Sequence, residues 1–93
     1  MCDALMVPTP GEMTFAINRQ LLTGGRVVDD AVVLTAMAAL YAEFKLVAEP
    51  GGAVALAAVL SGAYDISGKT VAVVCSGGNV DQKMFKAALE GAA

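Results

Sequence analysis

Histidine and tryptophan are both missing from this chain of 93 residues. Without histidine, neither Ser61 nor Thr14 has the base that a hydrolytic triad needs, so triad chemistry is excluded. The two cysteines, Cys2 and Cys75, are far apart and belong to no Cys-x-x-Cys motif, which excludes a zinc site as well. Cys75 lies in an apolar run and is predicted to be a buried hydrophobic side chain. Unpaired cysteines of this kind favour a reducing cytoplasm.

Charged residues are scarce, at 16% of the chain, and the formal net charge is −3. The six basic residues are dispersed and form no stripe, which argues against binding to nucleic acid or to an anionic membrane surface. No apolar run approaches the roughly 20 residues that a membrane helix needs. The amino terminus also lacks the basic and apolar regions of a signal peptide. We therefore expect a soluble, cytoplasmic protein.

Apolar residues, by contrast, make up 57% of the chain. A chain of this length suits one domain, so residues 1–93 are predicted to form a single piece. A short chain buries a smaller share of its surface than a larger domain does. The apolar surface should therefore exceed what the chain can cover alone, and we expect a homo-oligomer, a partner or further sequence to cover it.

Hydrophobic spacing and turn residues predict three or four helices and only one convincing strand. The strand is residues 70–75, whose apolar side chains do not alternate with polar ones, so both of its faces should be buried, as in a parallel sheet. Such a strand needs neighbouring strands to receive its backbone hydrogen bonds. We therefore predict an α/β fold, a partial three-layer one that is rich in helix and has one central buried strand. The helices are expected at about 10–23, 31–45, 50–60 and 80–89.

Ser76-Gly77-Gly78-Asn79 directly follows the predicted strand and precedes the last helix. As a binding site, the glycines would allow close approach of a ligand, and the backbone N–H groups and the Ser76 hydroxyl would bind a polar atom. As a purely structural element, the same residues form a tight turn. The motif is neither a Walker loop nor a Gly-x-Gly-x-x-Gly motif.

Glu49-Pro50-Gly51-Gly52 places a carboxylate at the start of the third helix. Glu49 could cap this helix, or it could face a ligand with a pKa adjusted by burial. Pro50 suits the first helical turn. Gly51 and Gly52 are poor helix formers, by about 1 kcal/mol each relative to alanine, and they are expected only if another group approaches the backbone there.

Four segments of the chain occur in an order that is found in one enzyme family. The segments are Cys2–Leu5, Pro8–Phe15, Lys45–Ala58 and Val71–Asp81. With them the chain resembles the carboxyl-terminal part of threonine/serine dehydratases (threonine ammonia-lyases), pyridoxal-phosphate enzymes of the tryptophan-synthase β-like fold. Serine racemase is a close relative with similar motifs.

The resemblance implies a role for each residue of the two glycine-containing motifs. Ser76 would hydrogen-bond the pyridine nitrogen of pyridoxal 5'-phosphate, and its neutral hydroxyl would moderate the electron sink. Gly77 and Gly78 would shape the turn beside the cofactor ring, and Asn79 would hold that turn. Glu49 would lie near the edge of the cofactor.

Other parts of such an enzyme have no match in this sequence. Members of the family carry a Schiff-base lysine, a glycine-rich phosphate loop and metal-binding acids upstream of the matching region. The resemblance therefore implies a carboxyl-terminal fragment of the large cofactor-binding domain, without catalytic residues and inactive alone. Its partners would be the remainder of the enzyme and an amino-acid substrate. The alternatives are a non-catalytic scaffold piece that self-associates and a fragment of a serine racemase.

Overall fold

The computed structural model describes residues 1–91, and every regular element in this range is helical. A single 3-10 turn, Asp3–Leu5, precedes four α-helices. All four helices that the sequence predicts are confirmed, with ends within two residues of the expected ones. The helices are α1 (Glu12–Leu21), α2 (Asp30–Phe44), α3 (Pro50–Leu60) and α4 (Gln82–Gly91).

The prediction of an α/β fold with one central buried strand is wrong for the described residues. Residues 70–75 form no strand, and no part of residues 1–91 forms a sheet. Val74 is 80% exposed and Cys75 is exposed too, so the expected burial of that cysteine is also wrong. The physical reason is that β-branched residues favour strand geometry, whereas a strand exists only when a neighbouring strand accepts its hydrogen bonds.

α2 lies at the centre of the fold and packs against both α3 and α4. Met37 and Val33 are its largest fully buried side chains. The helices that face α2 contribute mostly alanine to the core, and Tyr41 of α2 meets Phe85 of α4 edge to face, with ring centroids 5.4 Å apart. Alanine at these contacts lets the helix backbones approach closely. The core alanines outside α2 are Ala48, Ala53, Ala57 and Ala88.

A left-handed residue ends α2 and directs the chain into α3. Lys45 adopts φ 57° and ψ 30°, and its N–H donates to the Tyr41 carbonyl at 2.9 Å. This is the αL form of helix end, although glycine is its usual occupant. Its Nζ also donates to the Ala42 carbonyl at 2.7 Å, which binds a free carbonyl of the last turn. Only residues 45–49 then separate α2 from α3, which begins with Pro50 at its first position, as predicted.

A turn at residues 65–69 follows α3. The N–H of Ser67 donates to the Asp65 carboxylate at 3.0 Å, and this hydrogen bond holds the pKa of the exposed Asp65 carboxyl below its ordinary value. Gly68 adopts φ 68° in this turn, with no atom near the position that a side chain would take.

α1 stands apart from the rest of the fold. Within the described residues, no other helix contacts it, and none of its residues is buried. Met13, Ile17 and Leu21, four residues apart on one face, are 79%, 51% and 75% exposed. None of the helices among residues 1–91 combines the length and the apolar character that crossing a membrane requires.

Candidate functional site

The two glycine-containing motifs meet in space. The backbone N–H of Glu49, which precedes α3, donates to the carbonyl oxygen of Gly77 at 3.1 Å. Glu49 is the N-cap residue of α3, but its carboxylate makes no side-chain hydrogen bond that caps the helix. Residues 76–79 therefore pack against the start of α3.

Gly52 is the point of closest approach between α3 and this turn. A Cβ atom at position 52 would overlap the Ser76 carbonyl oxygen and would lie 2.8 Å from the Ser76 carbonyl carbon and 2.9 Å from the Gly77 oxygen. All three are backbone atoms, which cannot rotate away as a flexible side chain can. The expectation that another group approaches the glycines at the start of α3 is thus confirmed at Gly52.

The glycines of the Ser76–Asn79 turn are equally constrained. Gly77 adopts φ 78°, a region that favours glycine, and a Cβ there would overlap a carboxylate oxygen of Glu49. A Cβ at Gly78 would lie 2.7 Å from the Val47 carbonyl oxygen. Each glycine therefore marks a close contact with the α2–α3 connection or the α3 start, and this packing fixes the course of the turn.

The polar side chains of the turn are left available to a ligand. Ser76 and Asn79 are both exposed. Neither side chain makes a hydrogen bond with any part of the chain that the structure describes. The turn thus combines a constrained backbone with a free hydroxyl and a free amide.

A cavity of about 300 Å³ lies beside the turn. Glu49 and Asn79 line it, together with Asp3, Asp81 and Met84, whereas Ser76, Gly77 and Gly78 do not. Asp81 also caps α4, because its carboxylate accepts a hydrogen bond from the Met84 N–H at 2.8 Å. Two of the five predicted site residues therefore line the cavity, and the other three form the turn at its side.

Sequence reasoning missed the contribution of Asp3 and Asp81 to this cavity. Both are single exposed acids near helix starts, and nothing in the local sequence brings them together with Glu49. Like charges at such a site repel an anion. The cavity is consequently a poor place for a phosphate group.

The chain belongs to the family of pyridoxal-phosphate dependent enzymes, because the sequence model of that family matches residues 1–77. This match includes α1, α2, α3 and the first two residues of the Ser76–Asn79 turn. It confirms the resemblance that the sequence motifs indicated, and the cofactor of the family is pyridoxal phosphate.

Individual relatives are named L-threonine ammonia-lyases or L-threonine dehydratases. The chain is 38% identical over 85 residues to the L-threonine ammonia-lyase of Thermotoga maritima, covering 91% of this chain and 21% of that enzyme. It is 41% identical over 91 residues to the L-threonine ammonia-lyase of Geobacter sulfurreducens, and this match covers 97% of this chain and 22% of that enzyme. It is 33% identical over 93 residues to the catabolic L-threonine dehydratase TdcB of Staphylococcus aureus, and this match covers 97% of this chain and 27% of that enzyme. The chain thus spans about a quarter or less of the length of these relatives, and no solved structure matches it significantly.

Pyridoxal phosphate fits these residues in part. Gly77 and Gly78 fix the course of the turn by packing against Glu49 and Val47, and this turn holds Ser76 at the surface. The ring nitrogen needs one hydrogen-bonding partner, for which the Ser76 hydroxyl is free. The phosphate does not fit the cavity, because three acidic residues, Asp3, Glu49 and Asp81, line it and no lysine or arginine of the described part of the chain does. The described residues thus suit the ring side of the cofactor and not its phosphate.

Proposed function

We propose that this chain forms one wall of the cofactor site in a pyridoxal-phosphate dependent L-threonine/L-serine dehydratase. It would be the carboxyl-terminal part of the large cofactor-binding domain of a cytoplasmic enzyme. The observation that carries the proposal is the Ser76–Asn79 turn, which rests on the first turn of α3 and leaves the Ser76 hydroxyl free. Family membership and the names of the relatives support the same reaction class.

The chain's own residues would bind and orient in this site. The cofactor, when bound, supplies the electron withdrawal that lets an amino acid lose its α-proton. The Ser76 hydroxyl would hold the ring nitrogen, and since a hydroxyl carries no charge it would leave that nitrogen largely unprotonated. Gly77 and Gly78 would shape the turn beside the ring, and Asn79 and Glu49, which line the cavity, would lie near the edge of the cofactor.

In the parent enzyme, threonine or serine would lose its α-proton and β-hydroxyl as one water, and hydrolysis by a second water would release a 2-oxo acid and ammonia. The base and the Schiff-base lysine would come from the remainder of the enzyme, since no lysine lines the cavity within residues 1–91. The isolated chain would therefore be inactive. The names of the relatives favour a dehydratase over the racemase alternative.

A hybrid enzyme tests this proposal directly. In the hybrid, this chain replaces the matching 22% of the Geobacter sulfurreducens L-threonine ammonia-lyase. We expect the hybrid to bind pyridoxal phosphate and to release a 2-oxo acid from threonine. Ser76→Ala should raise the Kd of the cofactor about 3- to 10-fold, because one hydrogen bond between neutral groups contributes about 0.5–1.5 kcal/mol. Cofactor absorbance during titration measures the Kd.

Ser61→Ala is the matched control for that substitution. Ser61 is also exposed, but it lies at the opposite end of α3 from the Ser76–Asn79 turn. Its removal should leave the cofactor Kd unchanged. An unchanged Kd in Ser76→Ala as well, in a folded hybrid, would contradict the proposed role of Ser76.

The remainder of the enzyme would also cover the apolar surface of this chain. The accessible surface is 6895 Å², whereas a compact monomer of this mass exposes about 5,000 Å². Part of the excess is the face of α1 formed by Met13, Ile17 and Leu21. Without the remainder of the enzyme, this face would associate with a second copy of the chain, since large exposed apolar patches drive association.

Self-association of the isolated chain is therefore expected to depend on α1. Ile17→Gln should shift the equilibrium toward monomer in sedimentation velocity runs at several concentrations, because it places a polar group in the middle of the exposed apolar face. Asn18→Gln, one position along the same helix, should leave the distribution as it is. A wild-type chain that sediments as a compact monomer at all concentrations would refute this expectation.

A further inference from the structure

Two contacts, one from the N-cap residue of α3 and one from its first turn, fix the backbone of Ser76 and Gly77. On one side, the Glu49 N–H donates to the Gly77 carbonyl oxygen at 3.1 Å. On the other, Gly52 lies against the Ser76 carbonyl so closely that even one methyl group would overlap it. The position of residue 76 is therefore set by the position of α3.

α3 itself has little freedom to move away from the turn. Ala53 and Ala57, on its buried face, are completely enclosed in the core. Since protein interiors are closely packed, a helix held in this way transmits a displacement rather than absorbing it. A larger residue at position 52 would therefore push the Ser76–Asn79 turn outward.

We propose that Gly52 is a positioning residue for Ser76, an inference that rests on the proposed function above. Gly52 itself does not touch the cofactor. By allowing the Ser76 carbonyl to contact α3, it places the Ser76 hydroxyl within reach of the ring nitrogen. A hydrogen bond weakens steeply once its donor–acceptor distance and angle leave a narrow range, so a displaced turn loses the bond.

Cofactor titration of the hybrid enzyme tests whether Gly52 acts through Ser76. Gly52→Ala should raise the cofactor Kd about 3- to 10-fold. In a hybrid that already carries Ser76→Ala, the same substitution should raise the Kd by less than about twofold, because residues that act through one contact are not additive. Gly25→Ala, at a glycine with no atom within 4 Å of the added methyl group, is the control that should change neither value.

A second readout uses the hybrid without cofactor. Gly52→Ala should accelerate hydrogen exchange of the Glu49 amide, whose partner is the Gly77 carbonyl oxygen. If Gly52→Ala does not fold, Glu49→Pro compared with Glu49→Ala isolates the same contact, because both lack the carboxylate and only proline lacks the N–H. Proline suits the backbone there, since Glu49 has φ −77°. Glu49→Pro should then raise the cofactor Kd above that of Glu49→Ala.

The outcomes separate this inference from the proposed function. Equal effects of Gly52→Ala with and without Ser76→Ala would overturn the positioning role and leave the role of Ser76 intact. Equal cofactor affinities of Glu49→Pro and Glu49→Ala would do the same. If Ser76→Ala alone has no effect on the cofactor Kd, the proposed function itself is wrong about Ser76, and the inference falls with it.

Discussion

Gly52→Ala is expected to lower the free energy of unfolding of this chain by about 1–3 kcal/mol, the usual range for overpacking a closely packed site. The added methyl group would overlap the Ser76 carbonyl oxygen, and the neighbouring atoms are backbone as well. Either α3 or residues 76–79 must therefore move, and the hydrogen bond from the Glu49 N–H to Gly77 is lost. Urea denaturation followed by circular dichroism measures the change.

Gly51→Ala provides a control within the same helical turn. A Cβ there would lie 3.6 Å from the Ala4 Cβ and 3.7 Å from the Leu5 Cγ, which are ordinary contacts. Alanine is a better helix former than glycine by about 1 kcal/mol, so Gly51→Ala should stabilise the chain by up to that amount. The two neighbouring substitutions should thus have opposite signs, and a stabilising Gly52→Ala would show that the turn does not dock on α3 as described.

Gly77→Ala is expected to destabilise the chain for two separable reasons. At φ 78° an alanine is strained by about 1–2 kcal/mol. Its methyl group would also overlap the Glu49 carboxylate, so the side chain of Glu49 must leave its position. The loss of unfolding free energy in Gly77→Ala should therefore exceed the loss that backbone strain alone would cause. Denaturant unfolding measures this loss.

Two other glycines separate these effects. Gly62 and Gly68 have φ 75° and 68°, with nothing within 4 Å of an added methyl group, so alanine at either position reports the backbone strain alone. Gly77→Ala should cost more than either of them. In a chain that also carries Glu49→Ala, the extra cost should disappear, and if it persists the Glu49 side chain is not what Gly77 accommodates.

Local signals in the sequence were sufficient for the helices. Pro50 at the start of α3 and the glycines after α1 marked the helix ends within two residues. The nearly continuous apolar surface of α2 agrees with its central position, because a helix without a polar face must be covered on several sides. The unusual pair Gly51-Gly52 also predicted that another group approaches α3, although it did not identify the group.

Features that depend on distant residues could not be predicted in this way. The apolar run at residues 70–75 predicts a buried strand, yet its partner strands would have to come from elsewhere, and Val74 is exposed. The contact between Gly52 and Ser76 and the gathering of Asp3 and Asp81 beside Glu49 likewise depend on the path of the whole chain. Periodicity reports which face of an element is apolar, but it does not report what that face meets.

The Ser76–Asn79 turn packs against α3 but is separated from it by a long stretch of chain, and this determines which part of the molecule opens first. Residues 61–75 contain no helix or strand, so docking of the turn on α3 closes a loop of about 15 residues. Closing a loop of this length costs about 2.4 kcal/mol of chain entropy beyond a constant term. The link between α2 and α3, residues 45–49, is shorter, so bringing these two helices together costs less chain entropy. Local opening should thus release the turn well before it separates the two helices. A ligand that touches the turn would suppress this opening by mass action.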